Sequence, residues 1–172
     1  MRSLRIFTMV ETEIGKLFIV AENQRLSAVH IGEEDFQTNE DIALTRKKLE
    51  DPLLLESVKQ INEYFAGERT NFTLPLEQNG TVFQMEVWKK LEEIPYGKTK
   101  SYQEIAQAVG RPKAVRAIGQ ANKANNLPII IPCHRVIGKN QTLTGYAGKR
   151  VEIKDRLLSL EGASFKADKQ KA

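Results

Sequence analysis

Around Gln78-Asn79-Gly80 the hydrophobic pattern of this chain changes period, and that change limits the folds open to it. Before it, short β-rich runs at 4–10, 16–20 and 26–31 are separated by turn residues at Gly15 and Asn23, the pattern of a meander. A polar stretch from Gly32 to about Lys48 reads as loop with some helix. Asp51 then serves as N-cap with Pro52 at the first helical position. The helix that follows carries Leu55, Val58, Ile61 and Phe65 on one face until Gly67 stops it. A strand is expected near 71–74.

After the boundary the period is helical. Thr81 and Gln84 have capping-box spacing, and Phe83, Val87, Leu91 and Ile94 follow until Pro95-Tyr96-Gly97 ends the run. Ser101 and Glu104 repeat the capping box, with Ile105, Ala106 and Val109 inward and Gly110 as the stop. Pro112 restarts a helix through Val115, Ile118 and about Asn122. Helix, tight glycine turn, helix is the outline of a helix-turn-helix, with the helix from Pro112 in the recognition position. Its Ala114, Ala117, Gly119 and Ala121 are small, which suits close approach along a minor groove better than base reading in the major groove. A last helix carries Ile153, Leu157 and Leu160. The expected organisation is an N-terminal domain over 1–80, a C-terminal domain over 81–163 and a disordered basic tail over 164–172.

Charge follows the same division. Residues 1–80 hold 9 Lys and Arg against 14 Asp and Glu, and residues 81–172 hold 17 against 8. A basic half fits a polyanionic partner, or an ordinary solvated basic face. No run approaches the ~18 apolar residues of a membrane helix. The N-terminus has no signal-peptide core, so a cytoplasmic protein is expected.

The chain has one cysteine, Cys133, which excludes internal disulfides and any multi-cysteine zinc site. It follows the apolar run 127–132 and precedes His134 and Arg135. Pro128 and Pro132 restrict the backbone on either side, as in a fixed irregular turn. Such a cysteine is either a small buried apolar residue or a reactive thiol held partly as thiolate by its surroundings.

The motifs Pro132-Cys133-His134-Arg135-Val136, Phe83-Gln84-x-x-Val87-Trp88, Ile94-Pro95-Tyr96-Gly97-x-Thr99-x-Ser101-Tyr102 and 112–119 occur in order with Asn125-x-x-Pro128, 145–148 and Lys154-x-x-Leu157-Leu158-x-x-Glu161-Gly162. Together they resemble the O6-alkylguanine-DNA alkyltransferases over nearly all of 81–162. Residues 1–80 resemble that family only loosely. The resemblance implies an α+β protein with a small ribonuclease H-like α/β domain of antiparallel strands plus helix, then a mainly helical winged helix-turn-helix domain.

It also implies the site. Cys133 would accept the alkyl group, His134 would deprotonate it through a water, and Glu161 would orient and charge-balance His134. Asn125 would hold the turn before the active loop. Tyr102 would donate to the guanine ring and help flip the nucleotide, and Arg116 would fill the gap in the stack. Gln103, Arg111, Lys113, Ala117 and Lys139 would lie along the DNA, and Pro132, Val136, Tyr146, Ala147 and Lys154 would line the pocket. The partner would be double-stranded DNA carrying an alkylated guanine, approached from the minor groove by a monomer without cofactor, metal or membrane. O4-alkylthymine stays open as a substrate. Ala147 stands where some members have serine, so backbone N–H groups of Tyr146 and Ala147 would serve the guanine oxygen. The zinc of some members has no thiols here, and His30 reads as a strand histidine. The other readings are a non-catalytic damage-binding or regulatory helix-turn-helix protein and a cysteine hydrolase. Sensors of the first kind lack the cysteine, and nothing in the sequence suggests the second.

Overall fold

Alternation in the first 31 residues builds a sheet whose register matches its apolar faces. Strands β1 (Arg5–Thr12), β2 (Gly15–Glu22) and β3 (Arg25–Ile31) run antiparallel, with Phe7 opposite Val20 and Phe18 opposite His30. Asn23 and Gln24 both take positive φ, 53° and 60°, which suits the tight hairpin between β2 and β3. The computed structural model describes residues 4–139, 143 and 150–165. The chain divides into two compact units, Met1–Gln78 and Asn79–Ala172.

In the first unit a fourth strand, β4 (Thr45–Lys47), pairs parallel to β1, giving the order β3-β2-β1-β4. It lies within the stretch expected to be loop with some helix, because three residues as polar as Thr45-Arg46-Lys47 carry no strand pattern of their own. Helix α1 (Glu33–Asn39) buries Phe36, whose ring stacks on Phe18 with centroids 4.3 Å apart. Helix α2 (Pro52–Phe65) opens as its caps predict, with Asp51 accepting from the Leu54 N–H at 3.1 Å.

The buried face of α2 is not the expected one. Leu54, Ser57, Gln60, Ile61 and Tyr64 face inward, while Leu55 is exposed. The two polar groups are satisfied there. Ser57 donates to the Leu53 carbonyl, and the Gln60 side chain donates to Thr73 Oγ1 and accepts from the Thr73 N–H. That capture of Thr73 also explains why no strand forms over 71–74. The chain pairs later instead, as the Leu26 N–H meets the Pro75 carbonyl at 2.8 Å and the Glu77 N–H meets the Leu26 carbonyl at 2.7 Å.

His30 is a strand histidine, and it joins an ion network. Its Nε2 lies 3.0 Å from Glu40 and its Nδ1 3.6 Å from Asp35. Glu40 also takes hydrogen bonds from Arg5 and Thr45, and Arg5 reaches Glu22 at 2.8 Å. Burial alone would lower the His30 pKa, but the hydrogen bonds to Asp35 and Glu40 outweigh it and raise the value to about 9. Burial would raise Glu40, and hydrogen bonds from His30, Arg5 and Thr45 instead bring it down to about 2.

In the second unit both capping boxes form, Thr81 with Gln84 at helix α3 (Val82–Glu92) and Ser101 with Glu104 at helix α4 (Tyr102–Ala108). Trp88 of α3 donates its Nε1–H to the Ala121 carbonyl at 2.8 Å, which fixes helix α5 (Val115–Lys123). A side chain at Gly80 would sit 2.6 Å from the Trp88 ring, so glycine is needed there for close approach. Helix α5 starts at Val115, not at Pro112 as expected. Gln103 Nε2 takes the Pro112 carbonyl at 2.9 Å and the Ala114 N–H turns back to Arg111, so 111–114 form a turn. Strand β5 (Lys100–Ser101) pairs parallel with β6 (Val136–Ile137), and helix α6 (Val151–Leu160) follows. Ala163 and Phe165 pack against Ile137, Leu143 and Leu158, so packed structure continues past residue 163. Residues 166–172 of the expected tail lie outside the described residues. Among the described residues no helix is long and apolar enough to cross a membrane.

Candidate active site

The run 127–132 is buried throughout and folds into a loop instead of a strand. Ile129 sits at φ 76°, a left-handed conformation that costs a β-branched residue on the order of 1–3 kcal/mol. Asn125 helps hold it, accepting from the Leu127 N–H and donating to the Ile131 carbonyl, both at 3.0 Å. After Pro132 the chain makes one short helical turn over Cys133–Arg135, and the Asn122 side chain donates to the Cys133 carbonyl at 3.3 Å. Pairing of Val136–Ile137 with Lys100–Ser101 brings this turn beside Tyr102, the first residue of α4.

Cys133 is 4% exposed. Burial pushes its thiol up to about 11, against the favourable pull of the Asn125 side chain and the Lys154 charge. The thiolate fraction at pH 7 is then on the order of 10⁻⁴. Desolvation thus outweighs its neighbours and favours the protonated thiol.

His134 is fully buried, with Nε2 2.7 Å from Glu161 Oε2. Burial raises the Glu161 carboxyl, but His134 and Arg135 more than offset this and hold it at about 2. An ionised Glu161 accepts from Nε2–H, which fixes the imidazole tautomer and leaves the Nδ1 lone pair as the basic site. The His134 pKa lies below its ordinary value, first through burial, with Glu161 pulling the other way and the Arg135 and Lys154 charges pushing it further down.

Arg135 is the group that sequence reasoning quoted in a motif and gave no task. Its Nε and Nη2 meet the two Glu161 oxygens at 2.8 and 3.1 Å, its Nη1 donates to the Ile94 carbonyl at 2.7 Å, and its guanidinium lies 5.7 Å from the Tyr96 ring centroid. The signal was present, since an arginine placed directly after an apolar run must find a carboxylate if it is buried. Gly97 also faces Glu161, with its N–H 3.4 Å from Oε1 and a φ of 80° that favours glycine. Lys154 of α6 is fully buried, its ammonium 5.8 Å from the Tyr102 ring centroid, and burial brings it down to about 8 while Cys133 raises it.

Cys133, His134, Glu161, Asn125, Tyr102, Lys154, Pro132 and Val136 thus gather in one region of the second unit. On its surface Arg111, Lys113, Arg116, Ala117 and Lys139 are exposed. Arg111 rests over the Phe83 ring at 5.6 Å, and Gln103 is half-buried bracing the Pro112 turn. Tyr146 and Ala147 lie outside the described residues. A Cβ at Gly119 would lie 4.0 Å from the Tyr102 ring, an ordinary contact distance, so α5 runs beside Tyr102.

Comparison with known proteins agrees with this architecture. Residues 82–163 match the 6-O-methylguanine DNA methyltransferase DNA binding domain, and residues 6–78 match the ribonuclease-like domain of the same family. The constitutive methylated-DNA–protein-cysteine methyltransferase of Bacillus subtilis is 52% identical, covering 95% of this chain and 99% of its own length. The crystal structure of Mycobacterium tuberculosis O6-methylguanine methyltransferase superposes with a TM-score of 0.82 at 40% identity, over 98% of this chain and 99% of that one. A structure of the M. tuberculosis OGT in complex with DNA gives 0.81, over 91% and 92%. With both of its domains matched in order, the chain belongs to the 6-O-methylguanine DNA methyltransferase family.

Proposed function

We propose that this protein repairs DNA by direct reversal, taking the alkyl group of O6-alkylguanine onto Cys133, once per molecule. The observation that carries this reading is that the chain's only thiol lies on a buried turn next to a fixed His134–Glu161 pair. Relatives named for transfer to a protein cysteine leave this chain one possible acceptor.

In the reaction the sulfur–carbon bond forms as the bond from carbon to guanine O6 breaks. The thiol proton passes through one water to His134 Nδ1, and the departing guanine takes up a proton in turn. A soft sulfur nucleophile suits attack on an sp3 carbon, and the thioether product is stable, so the thiol is not regenerated. Asn125 holds the loop, and Tyr102 at the α4 N-terminus donates to the base. The target nucleotide must leave the stack to reach a thiol this deeply buried, at a cost of a few kcal/mol. Arg116, exposed on the first turn of α5, fills the space left behind, and the small residues of α5 let it approach the minor groove closely. Arg111, Lys113 and Lys139 supply phosphate contacts. The protein acts as a monomer in the cytoplasm, without metal or cofactor.

Intact-mass measurement after incubation with a duplex containing O6-methylguanine tests this. One added methyl group on Cys133, absent in Cys133→Ser, is the expected result. Binding of the duplex with no change in mass would overturn the reading and favour a non-catalytic damage-binding protein.

A further inference from the structure

We infer that Arg135 is a positioning residue for the alkyl transfer: by clamping both oxygens of Glu161 it keeps that carboxylate from holding His134 as a stable cation, so the imidazole takes up the thiol proton and releases it again. This rests on the reading that Cys133 is the acceptor.

The geometry is a fork on a carboxylate. Arg135 meets both Glu161 oxygens, and the same Oε2 that accepts from His134 at 2.7 Å accepts from Arg135 Nη2 at 3.1 Å. A carboxylate in contact favours the imidazolium by about 1–3 pH units and so works against the burial that disfavours it. Here the arginine already matches the charge on Glu161. The charged and titratable groups around His134 are Glu161 and Lys154 from α6, Arg135 and Cys133 from its own turn, and Tyr96 from the turn after α3, which faces the Arg135–Glu161 pair. Among the described residues that is one carboxylate against two cations.

The chain carries its own contrast. It has two histidines, both buried. His30 has carboxylates at both ring nitrogens, Asp35 and Glu40, with Arg5 on Glu40, and it is pushed up to about 9. His134 has one carboxylate, itself forked by arginine, and it moves below its ordinary value. Burial lowers both imidazoles, and more so the fully enclosed His134; at His30 two carboxylates outweigh it, while at His134 a single carboxylate forked by Arg135 does not.

The reaction needs the second kind. The thiol proton goes to Nδ1, sulfur bonds to the alkyl carbon, the carbon–O6 bond electrons stay on guanine, and guanine then needs one proton. A permanently cationic histidine cannot accept the first proton. One that holds it weakly gives it up to the leaving base, and the balance closes without any other reactant.

The test combines spectra of ¹⁵N-labelled histidine with single-turnover methyl transfer from an O6-methylguanine duplex across pH. In the wild type, His134 is expected to be neutral with the proton on Nε2 at pH 7 and to remain so down through its ordinary value of 6.5. Arg135→Gln should turn His134 cationic near neutrality and move the acid limb of the rate upward by about one pH unit or more, about tenfold slower at a pH below the limb. Arg135→Lys keeps a charge and should leave the limb in place while lowering the melting temperature. A cationic His134 in the wild type at pH 7 would overturn the inference, as would equal slowing by Arg135→Gln at every pH. Should Arg135→Gln not fold, the wild-type spectra and Arg135→Lys decide. Absence of methyl transfer in the wild type would remove the functional reading, while the histidine spectra would still report on Arg135.

Discussion

Replacing His30 by glutamine should flatten the alkaline side of the stability curve of the N-terminal unit. His30 is raised from 6.5 unfolded to about 9 folded. A raised value means that its contribution is fully present below pH 6.5 and is lost as the pH climbs through 9. A difference of that size corresponds to at most about 3 kcal/mol. The depressed value of Glu40 is not added, because it largely expresses the same ion pair. Glu40 acts on the other limb, where its stabilisation is present above 4.5 and lost as the pH falls toward about 2. Lys154 opposes His30 at high pH, since its folded value of about 8 lies below 10.5 and stability from this group rises as it deprotonates. The informative quantity is therefore the difference between wild type and His30→Gln. Hydrogen-exchange protection of the β1–β3 amides, measured from pH 6 to 9.5, gives it for the correct unit. Wild-type protection should fall relative to the variant over that range. Parallel curves, or a His30 resonance titrating near 6.5, would refute the reasoning.

Two further substitutions address the site. Asn125→Ala leaves the Leu127 N–H and the Ile131 carbonyl without their partner beside a strained Ile129, and should cost about 2 kcal/mol in urea melts and slow methyl transfer; unchanged stability and rate would count against its role as the loop's anchor. Arg116→Ala should slow repair of duplex DNA while leaving reaction with free O6-alkylguanine base unchanged in single-turnover assays, and equal slowing of both would remove its role in filling the stack.

Features that depend on a few neighbouring residues were legible in the sequence. Thr81 with Gln84, Ser101 with Glu104 and Asp51 with Pro52 all cap the helices they announce, because a cap is satisfied within one turn. Elements decided at long range were not. Thr45-Arg46-Lys47 is a strand only because β1 offers it an edge, and Gln60 is buried only because Thr73 lies beside it. Pro112 looked like a helix start until Gln103 took its carbonyl. At the site, Cys133-His134 could be found from sequence, but the Arg135 fork depends on Glu161 26 residues away and on Ile94 41 residues away. The left-handed Ile129 could not be read at all, since its residue type argues against that conformation.

A thiol raised to about 11 next to a histidine kept below its ordinary value looks poorly prepared for nucleophilic attack. For a group that reacts once it is a sound arrangement. A standing thiolate would react with oxidants and any small electrophile, and each such event would consume the molecule. Burying Cys133 as a thiol withholds its reactivity from solvent. In the proposed transfer the base then acts when an alkylated guanine occupies the pocket, where loss of the thiol proton would be coupled to departure of the O6 oxygen. Burial makes formation of the thiolate costly. In the proposed transfer, preorganised charges would offset that cost in the transition state: Lys154 and the Asn125 amide on the sulfur side, and Nδ1 of a tautomer held by Glu161 on the proton side. Arg135 touches neither sulfur nor base, yet in the inference drawn above its hold on Glu161 decides whether that nitrogen has a lone pair to offer.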